Sequence, residues 1–173
     1  MHLLEEMGIQ YDHSFMHHDC QLYMTPYSNY GATTTAYQGD HNSIRSASDW
    51  MKRMPDPEIS NLVTVPANWH LDDWPPFSPG DNSSNGFVDP YVVERMWKEH
   101  FEYCYEEYDE FVFPLSIHPQ ISGKPQVIKM HQRLIEWING FDGVEWCTFE
   151  EMVAQYKEGL ISGFNVRKAV GIK

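Results

Sequence analysis

The fold class expected from this sequence is α/β, with parallel strands joined by right-handed helical crossovers in the manner of a (β/α) barrel. Three observations predict it. Residues 113–120, Phe-Pro-Leu-Ser-Ile-His-Pro-Gln, are an apolar run that ends on His118 and is stopped at once by Pro119. Residues 61–66 form a similar run and lead into Trp69, His70, Leu71, Asp72, Asp73 and Trp74, a cluster of acids and histidine walled by tryptophan and proline. Between and after these runs lie segments with helical periodicity, giving the order strand, helix, strand, helix, strand, helix. An extended apolar segment that delivers one polar side chain at its C-terminal end is how such a barrel places a working residue.

Taken in order, residues 1–8 read as the last turns of a helix, with Gly8 as its C-cap. Residues 9–12 read as a short strand whose end meets a polar loop carrying His13, Ser14, His17, His18 and Asp19. From Thr25 to Asp56 there is little periodicity, with Gly31 and Gly39 as turn points and a helical turn expected over 46–53. Residues 62–65 form the second strand, and Pro66 to Pro79 a proline-rich loop, followed by a turn over 80–86. Asp89 and Pro90 open the clearest helix, an N-cap followed by proline in the first turn. Its buried face is expected to carry Val93, Met96, Trp97, Phe101, Cys104 and Tyr108, and Glu94 is expected to point outward.

Residues 111–117 are read as a third strand, apolar nearly throughout as for a strand covered on both faces. A helix follows Gly123 and Pro125, with Val127, Ile128, His131, Leu134, Ile135 and Ile138 on one side and Gly140 at its end. Residues 144–146 are expected to be a fourth strand. Thr148 and Glu151 then form a capping box that opens a last helix. The domain is expected to run over 1–158, with a loosely held tail over 159–173.

Composition narrows the function. A formal charge of −13 repels phosphate backbones, and with no run of Lys and Arg it argues against nucleic acid as a partner. No apolar run reaches the length of a membrane span, so no membrane partner is expected. The first residues lack the basic start and long apolar core of a signal peptide, which points to a cytoplasmic location. Cys20, Cys104 and Cys147 have no paired spacing, so neither a disulfide framework nor a cysteine zinc site is read from them. Six tryptophans and ten tyrosines near Pro and Gly fit either an aromatic-walled groove for carbohydrate-like ligands or an aromatic core.

His118 at a barrel mouth has the position of a general acid that gives a proton to a leaving amine or alkoxide. The competing reading is a structural histidine bonded to a loop. His70, Asp72 and Asp73 are the available partners, because a carboxylate bound to one ring nitrogen sets the tautomer and leaves the other for chemistry. The two acids could instead bind a cation or cap the next turn.

Three stretches carry a resemblance. They are residues 3–16 (Leu-Leu-Glu-Glu-Met-Gly-Ile-Gln-Tyr-Asp-His-Ser-Phe-Met), residues 65–75 ending Trp-His-Leu-Asp-Asp-Trp-Pro, and residues 115–125 (Leu-Ser-Ile-His-Pro-Gln-Ile-Ser-Gly-Lys-Pro). Together they resemble the C-terminal part of a polysaccharide deacetylase domain of the NodB-homology family, in the branch with peptidoglycan deacetylase-like and allantoinase-like proteins. The resemblance implies a distorted (β/α) barrel that hydrolyses acetyl groups or related amides with a divalent metal, zinc or similar. It implies His118 as general acid, Asp73 as its orienting partner with Asp72 the alternative, and Trp74 as a pocket wall. His70, Asp72, Trp69 and Tyr27 are the further candidates for substrate contact.

The family's catalytic-base aspartate, metal-binding aspartate and His-x-x-x-His pair belong to the first half of its domain, and the quoted stretches do not include them. His13 and His17 have the spacing of such a pair. On a loop that spacing need not align two rings, so His13, His17 and His18 are weak candidates for metal ligands and are expected at the site rim. Two readings stand open: one portion of a deacetylase-like hydrolase carrying the acid side of the site, or an inactive relative acting as a binding or assembly module. Both expect an assembly, with an N-terminal half or a second copy completing the fold as a homo-oligomer. The substrate expected is an N-acetylated glycan or a small amide.

Overall fold

The computed structural model describes residues 1–27, 58–79 and 86–166. Tyr30, Tyr37, the turns at Gly31 and Gly39, the helical turn expected over 46–53, most of the 80–86 turn and the end of the tail lie outside the described residues.

The chain opens with α1 (His2–Glu6). Met7 is its C-cap and Gly8 takes the left-handed conformation just beyond, at φ +74°. The Gly8 N–H donates to Glu5 O and the Ile9 N–H to Leu4 O, so the last carbonyls of the helix are satisfied in a Schellman arrangement. A side chain at Gly8 would have to adopt that strained region.

Strand β1 (Tyr11–Asp12) pairs in parallel with β3 (Ile59–Thr64), with Tyr11 opposite Val63 and Asp12 opposite Thr64. On the other side of β3 lies β2 (Tyr23–Pro26), antiparallel, with a register irregularity between Met24 and Pro26. Parallel pairing matches expectation; β2 lies where the sequence predicts no strand. Its four residues hold one apolar alternation too short to stand out, and Pro26 reads as a breaker. The central strand is the buried one, and Leu62 and Val63 are fully enclosed.

Helix α2 is a single turn (Trp74–Phe77), and α3 spans Pro90–Glu107. The Asp89 side chain accepts from the Tyr91 N–H at 2.9 Å, as an N-cap should. Val93, Trp97, Phe101 and Cys104 are buried as the periodicity requires. Two positions reverse. Met96 is 52% exposed, while Glu94 is buried. Its carboxylate accepts from Lys98 Nζ at 2.8 Å and from Arg133 Nε at 2.8 Å, a cross-helix partner that no local pattern reveals. Burial pushes the Glu94 carboxyl up, and the bonds from Arg133 and Lys98 outweigh it and hold it below the usual range.

Helix α4 is another single turn (Pro119–Ser122), and α5 spans Pro125–Ile138. Val127, Met130, Leu134 and Ile138 turn inward, whereas Ile128 and Ile135 face out at 44% and 41% exposure. The buried stripe is thus narrower than the sequence suggested. Facing α3, it forms the larger core with Leu71, Phe77 and Ile121. Phe101 is the hub, with ring centroids 5.0–5.5 Å from Phe111, Phe113, Trp137 and Phe141. Helix α6 (Phe149–Glu158) starts at the expected capping box, Thr148 with Glu151, and stops at left-handed Gly159. Its Val153 joins Leu22, Val63, Val65 and Val112 in a smaller core under the sheet.

Two expected strands are not regular strands. Residues 111–117 run extended beside the sheet but bond only at separate points, such as the Val112 N–H to Cys20 O and a parallel bridge between Asp72 and Ser116. Pro114 has no N–H to continue a ladder. Residues 144–146 make no ladder and leave Trp146 57% exposed. Beyond α6, residues expected to be loosely held are docked: the Phe164 N–H donates to Leu22 O, and Val166 is buried.

Candidate active site

The site is built where two chain segments leave the sheet side by side. After β3, Asn68 is buried and its side chain accepts from the His70 N–H at 3.0 Å, starting a 3₁₀ turn over Trp69–Leu71. Trp97 of α3 clamps that turn, its indole N–H donating to His70 O at 2.8 Å. The Ser116 N–H then donates to Leu71 O, and the Asp73 N–H to Ser116 O. This reciprocal pair of bonds sets Asp73 beside His118, two residues past Ser116.

His118 is the N-cap position of α4, in extended conformation, with Pro119 opening the helix. The tight turn depends on Gly123, where a Cβ would fall 2.5 Å from the Pro119 carbonyl oxygen. Asp73 is fully buried, and both its oxygens are used. Oδ1 accepts from His118 Nδ1 at 2.6 Å, and Oδ2 accepts from the His118 backbone N–H at 2.9 Å. Ser122 Oγ also donates to Oδ2, at 2.5 Å, and lies 2.8 Å from His131 Nε2. The Trp74 ring stands 5.0 Å from the His118 ring at a steep angle. With Nδ1 donating to a carboxylate, the exposed side of the His118 ring presents Nε2.

Asp72 holds a different position. Its Oδ1 accepts from the Trp74 N–H at 2.7 Å and lies 3.8 Å from His118 Nδ1. Of the two acids, Asp73 is therefore the one bonded to the histidine, and Asp72 starts the turn of α2. Trp69 is 71% exposed and His70 is also exposed. Tyr27 is tied elsewhere, its hydroxyl donating to Glu5 and its ring stacked on His2 at 4.3 Å.

The N-terminal histidines do not converge. His13 Nδ1 donates to Val65 O at 2.8 Å. His17 Nδ1 lies 3.1 Å from the Tyr23 hydroxyl. His18 Nδ1 accepts from the Cys20 and Gln21 backbone N–H groups at 3.2 and 3.1 Å. Each ring uses one nitrogen to hold its own loop.

Asp72, Asp73 and His118 do bring ligating atoms within 4.8 Å of one another. They do not fit a divalent ion. The Asp73 oxygens already accept three hydrogen bonds, and His118 Nδ1 faces the carboxylate at hydrogen-bond distance. Metal ligation would break the pair that makes the site.

Sequence reasoning missed the second half of this network, Ser122 and His131. The available signal was a histidine on the inner face of α5, where every neighbour on the stripe is apolar. Burial pushes the His131 ring below its ordinary pKa, with the Asp73 charge acting the other way. It also missed a thiol pair. Cys20 and Cys104 are both buried, and the hydrogen bond between them pulls the Cys20 thiol down and pushes the Cys104 thiol up. They line a cavity of about 370 Å³ with His17, His18, Asp19 and His100.

No family model matches the chain. It is 41% identical over 156 residues to the peptidoglycan deacetylase of Helicobacter pylori, covering 89% of this chain and 51% of that protein. It is 34% identical over 163 residues to a peptidoglycan deacetylase-like protein of Gibberella zeae, covering 89% of this chain and 46% of the relative. The chain thus spans about half the length of the curated relatives it matches. Among solved structures it resembles a polysaccharide deacetylase from Mycobacterium smegmatis, with TM-score 0.63, 19% identity and coverage of 95% of this chain and 46% of that one. It also resembles the Puue allantoinase, with TM-score 0.61, 17% identity and coverage of 90% and 41%. The fold is a portion of the (β/α) barrel of these proteins.

Proposed function

Because this chain belongs to the polysaccharide deacetylase family, we propose that it supplies the proton-donating side of a hydrolase site that removes acetyl groups from N-acetylated glycans or opens a small amide. The observation that carries the reading is the bond between His118 Nδ1 and fully buried Asp73. Amide hydrolysis needs a proton on the departing nitrogen, since an amide anion does not leave in water. After water has added to the carbonyl, His118 in its imidazolium form gives its Nε2 proton to the departing nitrogen as the C–N bond breaks, and the ring returns to the neutral Nδ1–H tautomer. Asp73 keeps Nδ1 protonated and stabilises the ring while it carries charge. Trp74 walls one side of the ring, and Trp69 and His70 stand at the mouth for sugar contacts.

A divalent metal, zinc or similar, belongs to this proposal for the complete domain, held by residues other than Asp72, Asp73 and His118. The missing strands of the barrel come from an N-terminal half or from a second copy. A cleft of about 850 Å³ edged by Phe111, Leu115, Trp146 and Met152, with Glu106, Asp109, Glu110 and Glu145 also on its lining, is a place where a completing segment could lie. The same cleft favours the alternative of a non-catalytic assembly module.

Replacing His118 with alanine in the complete protein is expected to lower acetate release from N-acetylated glycan fragments about 100-fold or more. Undiminished release removes His118 from the reaction and leaves the assembly reading. The 173-residue chain alone is expected to oligomerise and to retain no stoichiometric zinc after dialysis. A monodisperse monomer with one metal per chain would instead make His13, His17 and His18 ligands.

A further inference from the structure

We infer that Ser122 and His131 are positioning residues, forming a directed hydrogen-bond relay that orients Asp73 and so sets the tautomer of His118. The role in rate rests on the proposed function; the relay itself does not. The direction follows from donor counting. An ionised carboxylate only accepts, so at 2.5 Å the Ser122 hydroxyl must give its single proton to Asp73 Oδ2. Its oxygen can then only accept from His131 Nε2, 2.8 Å away, which puts the His131 proton on Nε2. The chain reads His131 Nε2–H to Ser122 O–H to Asp73 Oδ2, while Asp73 Oδ1 takes the proton of His118 Nδ1.

Each link comes from a different element. Asp73 lies before α2, Ser122 ends α4, and His131 sits on the buried side of α5 with its ring 5.8 Å from Trp97. A fully buried carboxylate with one unpaired lone pair could rotate about its last bond. Donors from two sides of Oδ2 stop that rotation and hold Oδ1 on Nδ1. The third donor also spreads charge away from Oδ1, which resists transfer of the Nδ1 proton across the 2.6 Å bond. The result is a His118 ring with one defined tautomer and Nε2 outward.

The test uses the complete protein with ¹⁵N-labelled histidine, and long-range proton–nitrogen spectra taken at pH 8 to read the tautomer of each neutral ring. His118 is expected protonated at Nδ1 and His131 at Nε2. Ser122→Ala is expected to mix the His118 tautomers and to lower kcat about 10-fold with KM within about twofold, since one bond to a charged group is lost. Ser122→Thr restores both readouts. His131→Leu cuts the outer link alone and is expected to lower kcat less than Ser122→Ala, while His131→Gln keeps an N–H donor and stays near wild type. A bare Nε2 on His131 in the wild-type protein overturns the relay, as does an unchanged His118 tautomer in both Ser122→Ala and His131→Leu. If His118→Ala leaves turnover intact while the tautomers shift as stated, the catalytic reading fails and the orienting relay stands.

Discussion

The corner at Asp73 and His118 and the loop over residues 13–19 are alike in composition, each rich in histidine and aspartate, yet the structure uses them in opposite ways. In the corner, three donors from α4 and its N-cap, the His118 ring and backbone N–H and the Ser122 hydroxyl, converge on one buried carboxylate. In the loop, His13, His17 and His18 each bond to a different group: a strand carbonyl, a tyrosine hydroxyl and a pair of backbone N–H groups. Spacing along the chain brings residues near each other; only packing makes their polar atoms meet. A loop whose backbone needs partners takes them from the nearest side chains, and those side chains are then spent on local structure.

The widest separation between the two regions is expected from Asp73→Asn in the complete protein. The amide cannot hold Nδ1 protonated in the same way, and turnover should fall by up to about 10,000-fold, as for the equivalent loss of an orienting carboxylate. A fall within tenfold breaks the comparison, because the corner would then be no more than structural. On the loop side, His18→Ala removes the acceptor of two backbone N–H groups. It should cost about 1–3 kcal/mol in urea unfolding. If turnover drops more than stability explains, the loop takes part in the chemistry.

Acid sensitivity gives a smaller effect shared by both regions. His100, which lines the cavity beside the loop, and His131, behind the corner, both have folded-state pKa values below the ordinary 6.5 because of burial. Between the folded value and 6.5 the unfolded chain binds more protons, so stability rises with pH there. Their contribution is complete above about 6.5 and is lost as pH falls through the folded values. The midpoint of urea unfolding should drop between pH 7.5 and 5.5, before carboxylates titrate, and His100→Gln should flatten the drop. A midpoint that is level over this window contradicts the burial of both rings. Least of all is expected from His13→Ala, whose ring supports the Val65 carbonyl and packs on Phe149: turnover should stay within about threefold of wild type. Loss of bound metal in that variant would turn the loop into a site.

How much could be read beforehand differs between the two layers. The helices were plain because their signals are local: Asp89 before Pro90, Thr148 with Glu151, and apolar residues three and four apart. Register across the sheet, the antiparallel β2 and the irregular course of residues 111–117 were not, since strand pairing is decided by distant backbone. The pairing of His118 with the Asp72 and Asp73 cluster was expected from its two strand-end positions. Ser122, His131 and the Arg133 partner of Glu94 were invisible as partners because each is brought in by another helix.

By itself, then, the sequence determined where the helices start and stop, which faces are apolar, and which two segments deliver polar side chains at their ends. Caps, turns and periodicity act within a few residues, so composition in a short window suffices for them. Only the tertiary structure decided that Asp73 rather than Asp72 bonds His118, that Glu94 is inside and Met96 outside, and that three histidines four and five residues apart do not form a set. Those outcomes depend on which carbonyl, carboxylate or ring the rest of the fold leaves within about 3 Å, a distance that no spacing along one chain can specify.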